Sequence, residues 1–247
     1  MYKSLIKAVS LIVPLLFLSI NSYSANAANW TAFSALYIAT SGADLAITLT
    51  GNISVGANIG APGRNNLTIA GNTALKYAFA GNKNSGFIIY NRNITFTGYM
   101  EFTNFYNSDT NTDHTRGGGV FRIINNSQVT FNISTMNATN NTAASHGGVM
   151  YIAGAQTTVT IKGVEIGFSN NSSLGSTDGG GAFRVTQGAA LILSVEKIVF
   201  DNNIGTNGPS IYLHERANNI PVGTLFHVTS DTKELIVRNS QSSWGGA

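Results

Sequence analysis

Cysteine is absent from the chain. That excludes disulfide bonds, thiolate metal centres and a lipidated N-terminal cysteine. An exported protein without disulfides is more typical of bacteria than of animal secretion. Charge is also scarce: charged residues make up 10% of the sequence and the formal net charge is +3. Two of the positive charges, Lys3 and Lys7, fall in a segment expected to be removed, which leaves the rest close to neutral. There is no basic run, so nucleic acid is not an expected partner. Beyond the N-terminus no apolar run is long enough to span a membrane as a helix.

What is abundant is Gly and Asn, together with Ser and Thr. These are weak helix formers and good turn formers. The hydrophobic fraction, 43%, suffices for a sizeable core, and β-branched residues fill most apolar segments, which favours strands. The N-terminus differs from the rest. Two lysines precede the apolar run Ala8 to Ile20, and Ser24-Ala25-Asn26-Ala27 follows with an A-x-A pattern. This is a secretory signal, residues 1–27, with cleavage expected after Ala27. The apolar run is too short for a bilayer and contains Pro14, which argues against an anchor.

Residues 28–247 carry an internal repeat of about thirty residues. Glycine pairs recur at Gly118-Gly119, Gly147-Gly148, Gly180-Gly181 and Gly245-Gly246, with Gly208-Pro209 in the same place. Each opens a similar segment: Gly-Gly-Val-Phe-Arg-Ile at Gly118, Gly-Gly-Val-Met-Tyr-Ile at Gly147, Gly-Gly-Ala-Phe-Arg-Val at Gly180. A second alternating run follows, as in Val129 to Phe131 and Val159 to Ile161. A third ends in asparagine, as in Phe168 to Asn171 and Phe200 to Asn203. The alternation has period two, which predicts strands. Three short strands and three turns make one coil of a solenoid. The predicted fold is therefore all-β, a right-handed single-stranded parallel β-helix. Regular repeats cover 117–247 and irregular first coils cover 44–116. A short helix over 30–39, capped by Asn29, closes the N-terminal end. The repeats stop within a new unit at Gly245, which reads as truncation and leaves an end open to self-association.

The repeat also assigns columns. Phe121, Met150, Phe183 and Ile211 should face the core, as should Ile123, Ile152, Val185 and Leu213, stacked at about 4.8 Å along the axis. Asn104, Asn140, Asn170 and Asn202 share a turn, where asparagine tolerates left-handed backbone and side-chain amides can bond from coil to coil. Gly118, Gly147 and Gly180 mark the other structural corner. The linkers between that asparagine turn and the next glycine pair vary most in length, and variable solenoid corners often carry function. Arg122, Tyr151, Arg184 and Tyr212 form a column that should point outward, as an exposed strip for glycans or acidic groups.

Gly-Gly-Ala/Val-Phe/Met alternating with Phe-x-x-Asn resembles the repeat of the polymorphic outer membrane proteins, over about residues 85 to 247. Phe168 to Asn171 and Phe200 to Asn203 fit the second motif. Phe105 stands where an asparagine is expected, Ala138 where a phenylalanine is expected, and Pro209 where a second glycine is expected. The resemblance implies a β-helical passenger of an autotransporter-type adhesin, at the outer membrane surface or released. The family also implies a C-terminal membrane β-barrel, which nothing in this sequence resembles.

Parallel β-helices also carry polysaccharide lyases and hydrolases, whose sites need carboxylates clustered on neighbouring coils. Here Glu101, Glu165 and Glu196 do not stack, and Asp109, Asp113, Asp178 and Asp201 occupy different turns. His114, His146, His214 and His227 do not converge as metal ligands must; they read as solvated loop residues. No catalytic residue, metal or cofactor is expected. The function expected is non-catalytic contact with a host or neighbouring cell surface, or with glycans, through a rigid face. A secreted polysaccharide lyase or hydrolase on the same scaffold is the alternative.

Overall fold

Every pairing between the strands of the computed structural model is parallel, and each strand pairs with its counterpart one coil away. Residues 23–40, 44–110, 117–175, 179–214 and 223–242 are described. Among the described residues the chain is all-β apart from one helix, and its coils stack in sequence order as a parallel β-helix. One coil runs through Phe121–Ile124, Gln128–Thr139 and Thr142–Ala143; the next through Met150–Ala153, Thr158–Ser169 and Ser172–Ser173. These three kinds of strand build one long sheet of eleven strands and two sheets of five.

Two details differ from the sequence reading. The second and third runs join into a single long strand in the coils of Asn93–Thr103, Gln128–Thr139, Thr158–Ser169 and Ala190–Asp201, and stay apart as Leu225–Val228 and Glu234–Arg238 in the last. The long strand bends midway, where the register shifts between Ile133 and Thr135 and where Gly98 and Gly163 have φ of 79° and 153°. A two-residue strand then follows the asparagine corner. Such pieces are too short for an alternation pattern to show.

The core columns form as expected. Phe121, Met150 and Phe183 pair in register and are fully buried, as are Ile123, Ile152 and Val185. Rings stack along the axis, Phe87 on Phe121 at 5.0 Å and Phe96 on Phe131 at 4.7 Å. Ala138 pairs with Phe102 on one side and Phe168 on the other, so it interrupts a phenylalanine column that resumes with Phe168 on Phe200 at 5.2 Å. The last column members depart from expectation: Ile211 is partly buried and Leu213 is 45% exposed. Among the described residues no strand stacks beyond Ile211–His214, so no described strand covers their outer side.

At the N-terminal end the helix Trp30–Ile38 begins at the expected cap, Asn29, whose side chain accepts from the Ala32 N–H at 3.0 Å. Its buried face plugs the solenoid, with Phe33 edge-on to Phe79 at 5.0 Å and Tyr37 edge-on to Phe87 at 5.6 Å. Before it, Tyr23–Ala27 pairs in parallel with Leu45–Leu49, and Ala27 is fully buried. Residues 1–22 of the expected signal segment lie outside the described residues, as does Gly245-Gly246.

Asn104, Asn140, Asn170 and Asn202 turn the corner with φ of 56°, 58°, 55° and 52°. The amide ladder runs mainly one residue later. Asn141 and Asn171 each donate from Nδ2 to Oδ1 of Asn171 and Asn203 in turn, both at 3.0 Å, and these amides are fully buried. In the outer column Asn202 Nδ2 donates to Asn170 Oδ1 at 2.6 Å. Phe105 fills the ladder position one coil earlier, and its backbone N–H donates to Asn141 Oδ1 at 3.0 Å.

Candidate functional site

The variable corner joins the short strands to the next Gly-Gly segment. Gly118 and Gly147 take φ of 76° and 63° there, a region that costs a residue with a side chain. A β-carbon on Gly118 would also strike the Phe121 carbonyl, and one on Gly147 the Met150 carbonyl. The second glycines stack: a β-carbon on Gly119 would strike the carbonyl of Gly148, and one on Gly148 that of Gly181. The glycine pairs thus let the corner chain press closely onto the strand it feeds and onto the next coil.

That close approach changes the outward column. Arg122, Tyr151, Arg184 and Tyr212 do pair in register. The Arg184 guanidinium lies 5.7 Å from the Tyr151 ring centroid and 5.9 Å from that of Tyr212, as cation–π contacts require. The column is not an exposed strip, however. Tyr151 and Arg184 have 0% exposure, while Arg122 and Tyr212 are half-buried. The corner chain folds over them: a β-carbon on Gly117 would sit against the Tyr151 and His146 β-carbons, and the His146 ring stacks on Tyr151 at 5.8 Å. Arg184 Nη2 lies 3.1 Å from His214 Nδ1. A guanidinium only donates, so this nitrogen is the acceptor. Tyr151 joins Ile124 and Ala153 in a small apolar cluster separate from the main core. His146 is buried, unlike the solvated loop residue expected; His227 is exposed, and His114 lies outside the described residues.

Of the column, Arg122 reaches a cleft of about 420 Å³ at this same corner. The cleft exists because two walls of the solenoid stop there. Tyr106–Asn107 and Phe87–Tyr90 are each the last strand of a five-stranded sheet; toward the N-terminus, among the described residues, they are followed by the bridge between Gly60 and Phe87 and by the bond from the Tyr106 N–H to the Asn84 carbonyl. Lys83, Tyr106, Asp109, Asn58 and Ser85 line it with Arg122. Asn107 bonds to described residues on both sides of this corner: its Nδ2 donates to the Gly117 and Gly118 carbonyls at 3.2 Å, and its Oδ1 accepts the Asp109 N–H at 3.1 Å. Asn58 Oδ1 accepts the Ser85 N–H at 2.9 Å across the cleft floor. Lys83 and Tyr106 also border a shallower depression of about 560 Å³ beside Asn82, Asn104 and Asn140. Sequence reasoning pointed to this corner through its variable loop lengths. It missed Lys83 and Tyr106, because they lie in irregular coils where no repeat sets a register.

Four carboxylates elsewhere are paired with cations, while Glu101 accepts from the Tyr99 hydroxyl, Asp44 from Asn66 and Asp231 from Ser194. Lys197 lies 3.4 Å from Glu165 and 3.8 Å from Glu234, Lys233 lies 2.8 Å from Glu196, and Arg238 lies 2.8 Å from Asp201. Hydrogen bonds from Arg238 and then Asn239 hold the Asp201 carboxyl below its ordinary range. Burial, with a hydrogen bond to Glu101, raises the Tyr99 hydroxyl. Among the described residues no three His, Asp or Glu side chains gather as a metal site, and no helix is long and apolar enough to cross a membrane. Asp113 and Asp178 lie outside the described residues. No protein-family model, curated protein or solved structure matches the chain.

Proposed function

We propose that the protein is an exported, non-catalytic, adhesin-like repeat protein that contacts a cell surface or glycan at the variable corner of its β-helix. The observation that carries this reading is the polar cleft at the corner where the linkers vary most. A stacked scaffold holds such loops rigidly, and binding residues concentrate on loops so held. The secretory signal supports export, and the resemblance of the repeat to polymorphic outer membrane proteins supports a place at the cell surface. Pairing of Glu165, Glu196, Glu234 and Asp201 with cations supports a structural use of these carboxylates over acid–base chemistry. Leu213, Leu225, Leu235 and Val237 are exposed, which supports contact with a further protein surface. The test is adhesion of the purified protein to cells, with Tyr106→Ala as the variant. Loss of adhesion with unchanged circular dichroism supports the reading. Adhesion indifferent to every cleft substitution overturns it.

A further inference from the structure

We infer that the solenoid carries a second binding site, for a neutral saccharide, at its third corner, where the strand after each glycine pair turns into the long strand. A depression of about 390 Å³ lies there, within the roughly 300–1,000 Å³ of small-ligand sites. Tyr90, Asn91, Asn125, Asn126, Gly154 and Ala155 line it. None of them lines the variable-corner cleft, so the two sites stand apart. The depression follows from what neighbouring coils place at one position. Tyr90 pairs with Ile124 and Ile124 with Ala153, so Asn91, Asn125 and Gly154 come next on three successive coils. The asparagines bring amides to the corner and the glycine brings no side chain. A hollow is left over Gly154 and Ala155, with Tyr90 two coils away.

The turns are held by the backbone. Asn91, Asn125, Asn126 and Gly154 take φ of 52°, 52°, 58° and 99°, the left-handed region that asparagine and glycine tolerate. The Asn91 N–H donates to the Ile124 carbonyl at 3.4 Å, the Asn125 N–H to the Ala153 carbonyl at 3.3 Å, and the Thr157 N–H to the Gly154 carbonyl at 3.0 Å. The lining is therefore placed before a ligand arrives, and little ordering is left to do. Tyr90 is 51% exposed. Its ring offers an apolar face with a polar tip, which matches the C–H face and hydroxyl rim of a pyranose. Asn91, Asn125 and Asn126 are exposed, and among the described residues their side-chain amides make no hydrogen bond. Each amide is donor and acceptor at once, as is each sugar hydroxyl. An apolar ligand would leave these amides without partners, at a cost. No charged side chain is among the lining residues, and the neighbouring Arg92 donates from Nη1 to the Asn91 carbonyl at 3.0 Å. The site thus selects hydroxyls and an apolar ring face without asking for charge.

The experiment is calorimetric titration of the purified protein with neutral tetrasaccharides of β-glucose, α-glucose, mannose and N-acetylglucosamine, and with tetragalacturonate as the acidic probe. Binding of at least one neutral probe is expected, tighter than that of the acidic probe and indifferent to added salt. Tyr90→Ala should weaken it about tenfold, with an unchanged thermal melt because the side chain is exposed. Tyr90→Phe should keep most of the affinity, since the ring face makes the contact. Asn126→Gly keeps the left-handed turn, removes one amide and should weaken binding about fivefold. Binding that Tyr90→Ala and Asn126→Gly both leave unchanged overturns the site. Tighter binding of the acidic probe, or binding that salt abolishes, overturns the neutral class. Absence of binding to every neutral probe overturns the whole inference, whatever Tyr106→Ala does to adhesion at the variable corner.

Discussion

Asn171 and Asn203 are bonded amide to amide across adjacent coils: Asn171 Nδ2 and the Asn171 backbone N–H both donate to Asn203 Oδ1 at 3.0 Å. Asn171 in turn accepts the N–H and Nδ2 of Asn141 on its own Oδ1, and its Nδ2 also donates to the Ala138 carbonyl at 2.9 Å. The side chain is fully buried with all four of its bonds made. Asn171→Leu keeps the volume but strands the Asn141 donors and the Ala138 carbonyl. At about 1–3 kcal/mol per orphaned group, a loss of roughly 3–6 kcal/mol is expected. Asn170→Gly, at an exposed left-handed corner, should cost less than about 1 kcal/mol. Urea unfolding of the two variants measures the contrast; similar losses would deny the inner ladder its role.

Phe183 packs edge-on against Phe168 at 4.6 Å and Phe200 at 5.7 Å, with 0% exposure. Phe183→Ala is expected to cost about 3–5 kcal/mol in denaturant unfolding, as large buried aromatics do. A loss below about 1 kcal/mol would mean that this coil is not packed as described.

Asp201 supplies a pH test. Its carboxyl is held below its ordinary range in the folded chain, so it binds protons more weakly folded than unfolded. Its contribution is present above the unfolded value and is lost as pH falls through the folded one. The melting-temperature gap between the native chain and Asp201→Asn should be widest near neutrality and should close in acid. A gap constant with pH would show that the bond to Arg238 contributes no linked stability.

The strand Tyr23–Ala27 makes five register pairs with Leu45–Leu49, and the Thr50 N–H donates to the Ala27 carbonyl at 2.9 Å. A chain beginning at Ala28 lacks that strand and leaves Leu45, Ile47 and Leu49 less covered. It should melt below a chain beginning at Tyr23, and the intact mass of the protein recovered from its source tells where the chain begins. Equal melting temperatures would show that the strand adds nothing.

Much of this molecule was legible in the sequence. Period-two alternation between glycine and asparagine corners marked the coils, and like residues at like places marked the columns from Phe121 to Phe183. The inner amide ladder was displaced by one residue from its reading, because Asn140-Asn141 and Asn170-Asn171 offer two adjacent asparagines and only backbone geometry decides which faces in. The exposure of the Arg122, Tyr151, Arg184 and Tyr212 column was misread for a different reason. Alternation tells which side of a strand a residue takes and does not tell whether another segment lies over that side.

Sequence by itself therefore determined the architecture, since a stacked solenoid is built from local patterns repeated at fixed spacing, and each repeat carries its own instructions. Tertiary structure alone decided the candidate site. Lys83, Tyr106 and Arg122 come from two coils and three segments, and they meet because two sheets end at the same corner while the long sheet runs on. Where sheets end depends on how irregular coils pack against the regular ones, a property of many contacts at once that no single repeat records.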